Sequence, residues 1–393
     1  MKVAFGVSLS PGTPLLQEKD TRRFIDLAKM ADDYGAEAVG THDTAFIGGD
    51  AYVRATLIAL GASRARVGLR PTNPLTREPQ VMASFLASVD SLTGGRAFMD
   101  MASGDSAVLN IGYQVATRAR IEDYVTCVRD LIAKGEATYQ GRPQRVRWAS
   151  TVTRQRIPIF ICAEGPKMLH LGGRIGDGVT AGTGLLPEVI KDTIARVHAG
   201  ARDAGRNPSD VDVWFTTRTS LDEDRDRAIQ GVKASVSSIL NHSMRFGLDN
   251  KHLPDELRGK VQEYVDGYEL YDHVLHEGRN PKRMEALGLT QYAIDRFALA
   301  GNAERLDQAD RADRRGRRPQ DLGEPARNRH GDAAPLHEDS RRADHVEVRL
   351  AGQRRSAPAV AATSLVRSRY RQTTRLRAIK VRIPSSTTVS RNA

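Results

Sequence analysis

The sequence predicts an α/β protein, a (β/α)8 barrel that falls one strand short of closure. Three observations lead there. Short apolar, β-branched runs alternate with amphipathic stretches from Met1 to about Gly301, the pattern of parallel strands joined by helices. Seven such runs occur, against the eight strands and ~250 residues of a complete barrel. No Gly-x-Gly-x-x-Gly follows the first run, so a doubly wound sheet, the structural alternative, would lack its phosphate-binding turn.

In chain order the expected strands are Val3–Ser8, Glu37–Thr41, Val67–Arg70, Ala97–Met101, Pro158–Cys162, Gly178–Ala181 and Val211–Thr217. Between the first two, Asp20 can cap a helix whose Phe24, Leu27, Ala28 and Ala31 share one face, with Gly35 as its stop. Met82, Phe85, Val89 and Leu92 repeat that spacing ahead of Gly94–Gly95. Such stripes read as core. Two segments look inserted: Ala137–Val152, a hairpin around Gln140–Gly141–Arg142, and Asn241–Leu287, polar and helical. On a barrel, insertions of this kind shape the site.

The net charge of +11 suggests an acidic partner until its distribution is considered. Residues 302–393 hold 21 Lys and Arg against 11 Asp and Glu, which leaves the first 301 residues nearly neutral. Cys127 and Cys162 are too few for a disulfide framework and lack metal-ligand spacing. No segment has the pattern of a secretory leader, and no apolar run approaches the ~18 residues of a membrane span. A soluble, cytoplasmic protein without membrane or nucleic-acid partners is expected.

Four strand-end segments carry a resemblance. They are Thr41–His42–Asp43–Thr44, Arg70–Pro71–Thr72–Asn73–Pro74–Leu75–Thr76–Arg77, Ala102–Ser103–Gly104–Asp105–Ser106–Ala107 and Cys162–Ala163–Glu164–Gly165–Pro166–Lys167–Met168. Their order, each at the C-terminal end of a strand, resembles the luciferase-like superfamily over about 300 residues. The Thr-Asn-Pro and Ser-Gly-Asp-Ser-Ala segments look most like its deazaflavin-using methylenetetrahydromethanopterin reductase branch. The resemblance implies a luciferase-like (β/α)8 TIM barrel, coenzyme F-420 (a deazaflavin) or alternatively FMN as cofactor, a small-molecule substrate and a homodimer.

The residues have readings of their own beside that resemblance. Barrel sites form where βα loops converge over the C-terminal strand ends, and these four segments are such loops. Asp43 could face the cofactor ring or simply cap a helix, and His42 could serve as acid or base or simply pack. Thr72, Asn73, Ser103, Gly104, Asp105, Ser106 and Asn110 could reach the cofactor or substrate, although each type is also common in turns. Gly165–Pro166–Lys167 opens a helix with free backbone donors, which makes a phosphate seat or an ordinary helix start with a solvated lysine. Cys162, Ala163 and Glu164 lead into it. Several family members carry a non-prolyl cis peptide at the end of the third strand; here that place falls at Arg70–Pro71, where an X-Pro bond can hold the same bulge.

Beyond Glu304 the character changes. Arg supplies 20 of the last 92 residues, Tyr370 is their only aromatic, and no strand or helix period persists. One reading is a basic nucleic-acid arm. The other is a shifted reading frame: taking codons from their second base, Asp310 to Asp313 permit Ile-Glu-Arg, and Arg314 to Glu324 permit Ala-Ala-Gly-Val-Asp-His-Lys-Ile-Trp-Val. That is the helix, turn and eighth strand the family resemblance calls for. The expected organisation is therefore a barrel over 1–301 truncated before strand eight, and an out-of-frame, disordered tail over 302–393. The expected activity is hydride transfer between deazaflavin and a small organic substrate, with FMN-dependent monooxygenation as the alternative.

Overall fold

The computed structural model describes residues 4–9, 18–302 and 362–367. Strands and helices alternate as expected: β1 (Ala4–Leu9), α1 (Glu18–Asp33), β2 (Ala38–Thr41), α2 (Ala45–Gly48), α3 (Ala51–Gly61), β3 (Arg66–Thr72), α4 (Pro79–Thr93), β4 (Ala97–Met101), α5 (Ser106–Leu109) and α6 (Arg118–Lys134). The hairpin β5 (Glu136–Tyr139) and β6 (Arg142–Arg145) follows, then β7 (Ile159–Ala163), α7 (Pro166–Ile175), β8 (Gly178–Ala181), α8 (Pro187–Asp203) and β9 (Asp212–Leu221). The chain continues through α9 (Arg225–Met244), α10 (Asp255–Asp266), α11 (Arg279–Ala286), α12 (Thr290–Phe297), β10 (Ala298–Gly301) and β11 (Ala362–Arg367).

All seven expected strands form, each within a few residues of its expected bounds. The hairpin turns at Gln140 and Gly141, both at positive φ (50° and 74°), as a two-residue loop matched to strand twist requires. Helix α1 begins at Glu18, so Asp20 lies inside its first turn and not at its cap. Strands β1, β2, β3, β4, β7, β8 and β9 pair in parallel in that order, the ordering that helical crossovers produce. The helices bury one stripe against the outside of the sheet: Phe24 and Ala28 of α1, Met82, Leu86 and Val89 of α4, and Ile121, Val125 and Val128 of α6 join one core. No helix among the described residues is long and apolar enough to cross a membrane.

Among the described residues the parallel neighbour of β1 is β2 alone, and the eighth parallel strand, β10, lies elsewhere. β10 is parallel but pairs with β9 alone. The gap is filled from the tail in a way the sequence reading did not foresee: β11 runs antiparallel to both β1 and β9, setting Phe5 opposite Val366 and Phe215 opposite Val366. With the β8–β9 pairing this completes the ring. The segment escaped notice because Ala362–Arg367 has only two large apolar residues, Leu365 and Val366, and no alternation beyond them. The remainder of the tail, and with it the expectation of disorder there, lies outside the described residues.

Candidate active site

The inside of the barrel is filled before the mouth is reached. Phe98, Phe160 and Trp214 pack with Ala38, and the Arg66 guanidinium lies 5.4–5.9 Å from the three aromatic ring centres. Beside them Arg70 Nε donates to Asp100 Oδ2 at 2.9 Å, and Thr180 donates to the same oxygen at 3.1 Å. Gly6 and Gly40 make this possible, since a Cβ there would stand 2.9 Å from Arg70 Nη1 and 2.8 Å from Arg70 Cβ. Arg70 therefore serves the barrel interior through its pairing with Asp100. The Cys162 thiol is likewise held well above its usual range by burial, with Asp100 adding to the effect.

At the mouth, β3 shifts register between Leu69 and Thr72 and carries a cis Arg70–Pro71 bond, the bulge placed there by the resemblance. The bulge directs Pro71 O and Thr72 toward the loop after β2. Asp43 N donates to Pro71 O at 2.8 Å, and Thr72 Oγ1 donates to Asp43 Oδ2 at 2.8 Å. Burial pushes the Asp43 carboxyl above its ordinary pKa, against the pull of that hydrogen bond and of Arg77. Next to it, burial lowers the His42 imidazole to about 3, helped by Arg54, His273 and Arg218. Arg54 Nη2 donates to His42 O at 2.5 Å and anchors the loop from below.

Asn73 turns the loop after β3, its Oδ1 accepting from Leu75 N at 3.0 Å and Thr76 N at 3.1 Å. In the loop after β4, Gly104 sits at φ 94° with a Cβ position only 2.7 Å from Val108 Cγ2, so a side chain is doubly excluded. Ser103 O accepts from Ala116 N at 2.7 Å, and Ser106 is buried at the start of α5. Enclosed polar atoms without hydrogen-bond partners among the described residues include His42 Nε2, Asn73 Nδ2 and Asn110 Oδ1, on the loops after β2, β3 and β4. Enclosed polar atoms are normally satisfied, so a run of them on neighbouring loops points to a ligand.

The chain belongs to the luciferase-like monooxygenase family. Its family model matches residues 1–316. A 5,10-methylenetetrahydromethanopterin reductase of Methanopyrus kandleri is 30% identical over 285 residues, spanning 67% of this chain and 79% of the reductase. An F420-dependent glucose-6-phosphate dehydrogenase of Nakamurella multipartita is 28% identical over 252 residues, 59% of this chain and 74% of the dehydrogenase. The solved coenzyme F420 dependent tetrahydromethanopterin reductase from Methanopyrus kandleri superposes with a TM-score of 0.62 at 24% identity, over 80% of this chain and 91% of that one. It shares the fold.

As in other barrels, the luciferase-like mouth also draws on the later strands. Ala163 O accepts from Gly182 N at 3.0 Å, fixing the turn that presents Glu164. Burial raises the Glu164 carboxyl, only partly offset by His242 and Arg245. Gly165 then precedes α7 with no side chain capping the helix, Pro166 occupies the first turn, and Lys167 is exposed. A Cβ on Gly165 would meet nothing within 4 Å, so the helix start faces open space. Asp105 is committed differently: Arg245 Nη1 donates to its Oδ1, and His242 Nε2 lies against its Oδ2. Burial alone would raise this carboxyl, but His242 and Arg245 overrule it and hold it well below the usual range.

Sequence reasoning missed His242, Arg245, Lys251, Tyr268 and His273, all from the expected insertion, and Arg218 at the end of β9. A signal existed. Four of the ten histidines, His242, His252, His273 and His276, fall within Asn241–Leu287. A cavity of about 550 Å³ opens at the opposite end of the barrel beside Asp32, Glu37, Arg64, Arg66 and Asp212. The family's strand-end segments, with the displaced His42, Asp43, Asp105 and Glu164, lie instead at the mouth, although Asp32 beside this cavity is displaced as well.

Proposed function

We propose that this protein is a coenzyme F-420-dependent oxidoreductase that moves a hydride between the deazaflavin and a small organic substrate. The observation that carries the reading is the set of enclosed, unpartnered polar atoms on the loops after β2, β3 and β4. A relative at 28% identity is named as an F420-dependent dehydrogenase, and one at 30% as a reductase. When bound, the deazaflavin supplies a two-electron hydride carrier that does not support oxygen insertion.

The chain's residues divide the remaining work. Asn73, Ser103, Gly104, Ser106 and Asn110 offer donors, acceptors and a close backbone approach for the cofactor. Gly165, Pro166 and Lys167 offer the uncapped start of α7 and a cation for its phosphate. Arg70, Pro71, Cys162 and Ala163 back the site from beneath, the first and third through side chains already used in the interior. Between the two catalytic candidates, Asp43 suits proton transfer better. Its carboxyl is displaced toward neutral pH and oriented by Thr72, whereas an imidazole at about 3 is a poor base and serves as a neutral hydrogen-bonding group.

Equilibrium titration followed by fluorescence tests the cofactor. Coenzyme F-420 is expected to bind at least roughly tenfold more tightly than FMN, a difference of about 1.4 kcal/mol. Tighter FMN binding would instead favour an FMN-dependent monooxygenase. The same reading places the protein in the cytoplasm as a homodimer. Exposed Val53 and Leu60 on α3, with Val81 and Leu92 on α4, support a second copy, which light scattering would detect. We further propose that a shifted frame near codons 304–310 produced the tail. That β1 has no second parallel neighbour among the described residues supports this, and sequencing those codons tests it.

A further inference from the structure

We propose that Asp105, His242 and His273 form a binding site for one divalent transition-metal cation of the Zn²⁺ type. The inference stands on geometry in the chain and does not depend on the deazaflavin. The three side chains come from distant parts of the sequence: the loop after β4, the last turn of α9, and the segment between α10 and α11. Their ligand atoms nevertheless all lie within 4.8 Å of one another. The His242 and His273 rings are stacked with centroids 5.1 Å apart and planes 25° apart.

The surroundings are arranged as metal sites require. A ligating group usually has its second polar atom held by an outer partner, which leaves the first directed at the ion. Tyr268 Oη lies 2.8 Å from His273 Nδ1, so Nε2 is the ring nitrogen left for coordination. Arg245 holds Asp105 Oδ1, leaving Oδ2. That oxygen and His242 Nε2 are both enclosed and pair directly with each other, so a cation bound here would part them and take the place of that pair.

The donor set selects the ion. Two imidazoles and one carboxylate suit Zn²⁺, Co²⁺ or Ni²⁺, whereas Mg²⁺ and Ca²⁺ prefer all-oxygen sites. Three protein ligands leave a fourth position for water or a substrate oxygen, the arrangement of zinc sites that polarise a bound group. Arg245 and Arg218 oppose a dication here, while the Asp105 and Glu164 carboxylates favour it. The simpler account of the same contacts is a protonated His242 paired with Asp105. The two accounts differ in what a metal does.

The full chain, stripped with a chelator and then dialysed, should be titrated with Co²⁺ and followed by its visible absorption, with Zn²⁺ as competitor. One saturable equivalent, displaced by Zn²⁺, is expected. His242→Ala and His273→Ala should each weaken binding by roughly 100-fold, and Tyr268→Phe, which keeps all three ligands, by roughly tenfold. Tyr268→Phe removes only a hydroxyl and guards against variants that fail to fold. Absence of a saturable spectrum, or equal affinity in the wild type and the His242→Ala/His273→Ala double variant, would overturn the site and leave the ion pair.

Discussion

Burial acts on His42 and Asp43 alike by disfavouring charge, but the consequences for stability run in opposite directions. Folded His42 titrates at about 3 and the ordinary imidazole at 6.5, so between these values the unfolded chain binds a proton that the folded chain refuses. Stability from this group is therefore lost as pH falls from 6.5 toward 3. Asp43, raised above 3.8, gains stability as pH falls through its own window. Urea unfolding at pH 7 and pH 4.5 should show His42→Gln losing less stability on acidification than the wild type; equal losses would mean His42 is accessible to protons. Lys167 carries a second residue-scale expectation. Lys167→Ala should weaken the phosphorylated cofactor by on the order of tenfold, and a dephosphorylated analogue far less, because a charge-assisted hydrogen bond contributes ~1.5–3 kcal/mol. Equal losses in the two titrations would move the phosphate seat elsewhere. At this scale the sequence was legible where position alone placed a residue on a strand-end loop, as for Asp43, Asn73 and Gly104. It was opaque wherever direction decided: nothing in the order of residues shows that Arg70 turns inward onto Asp100, or that Asp105 is claimed by Arg245 from 140 positions away.

Elements were more legible than their joints. The stripe on α1 and the β-branched runs of the first seven strands identify themselves by period, because one face of each must be buried; on α4 the expected stripe is buried at Met82 and Val89, whereas Leu92 is 51% exposed. The connection from α3 to β3 does not, since its fixing group lies elsewhere. Asp32, at the end of α1 and only 2% exposed, accepts from Ser63 N, Ser63 Oγ, Arg64 N and Ala65 N. Burial would raise its carboxyl, yet those donors hold it below the ordinary value. Asp32→Ala would leave several enclosed N–H groups without an acceptor and should cost about 3 kcal/mol in urea unfolding. A loss within ~0.5 kcal/mol would show that water replaces the carboxylate. Close helix contacts are equally hidden in sequence: α7 lies so near α8 that a Cβ on Gly173 would stand 1.9 Å from Val197 O.

For the whole molecule, the decisive feature is how the ring ends. Seven strands arrive in order with a helix between most neighbours, whereas the last place is filled antiparallel by β11. If the tail is out of frame, restoring the second-base reading after Glu304 should supply a parallel strand there and raise the melting temperature by on the order of 10 °C, with a sharper transition. Differential scanning calorimetry at matched concentration and cofactor checks this; an unchanged melt would make β11 a full structural substitute. Thermodynamically the detour is minor. Closing the roughly sixty residues between Gly301 and Ala362, in place of about fifteen, adds only about 1 kcal/mol of loop entropy. Time is another matter. At ~5–20 residues per second the ribosome needs roughly 3–12 s to deliver those sixty residues, while a hairpin forms in ~1–10 μs. A nascent sheet would wait for seconds with the edge of β1 and the Trp214–Thr217 stretch of β9 bare, and two such chains on one messenger would then find each other's edges before either received its closing strand.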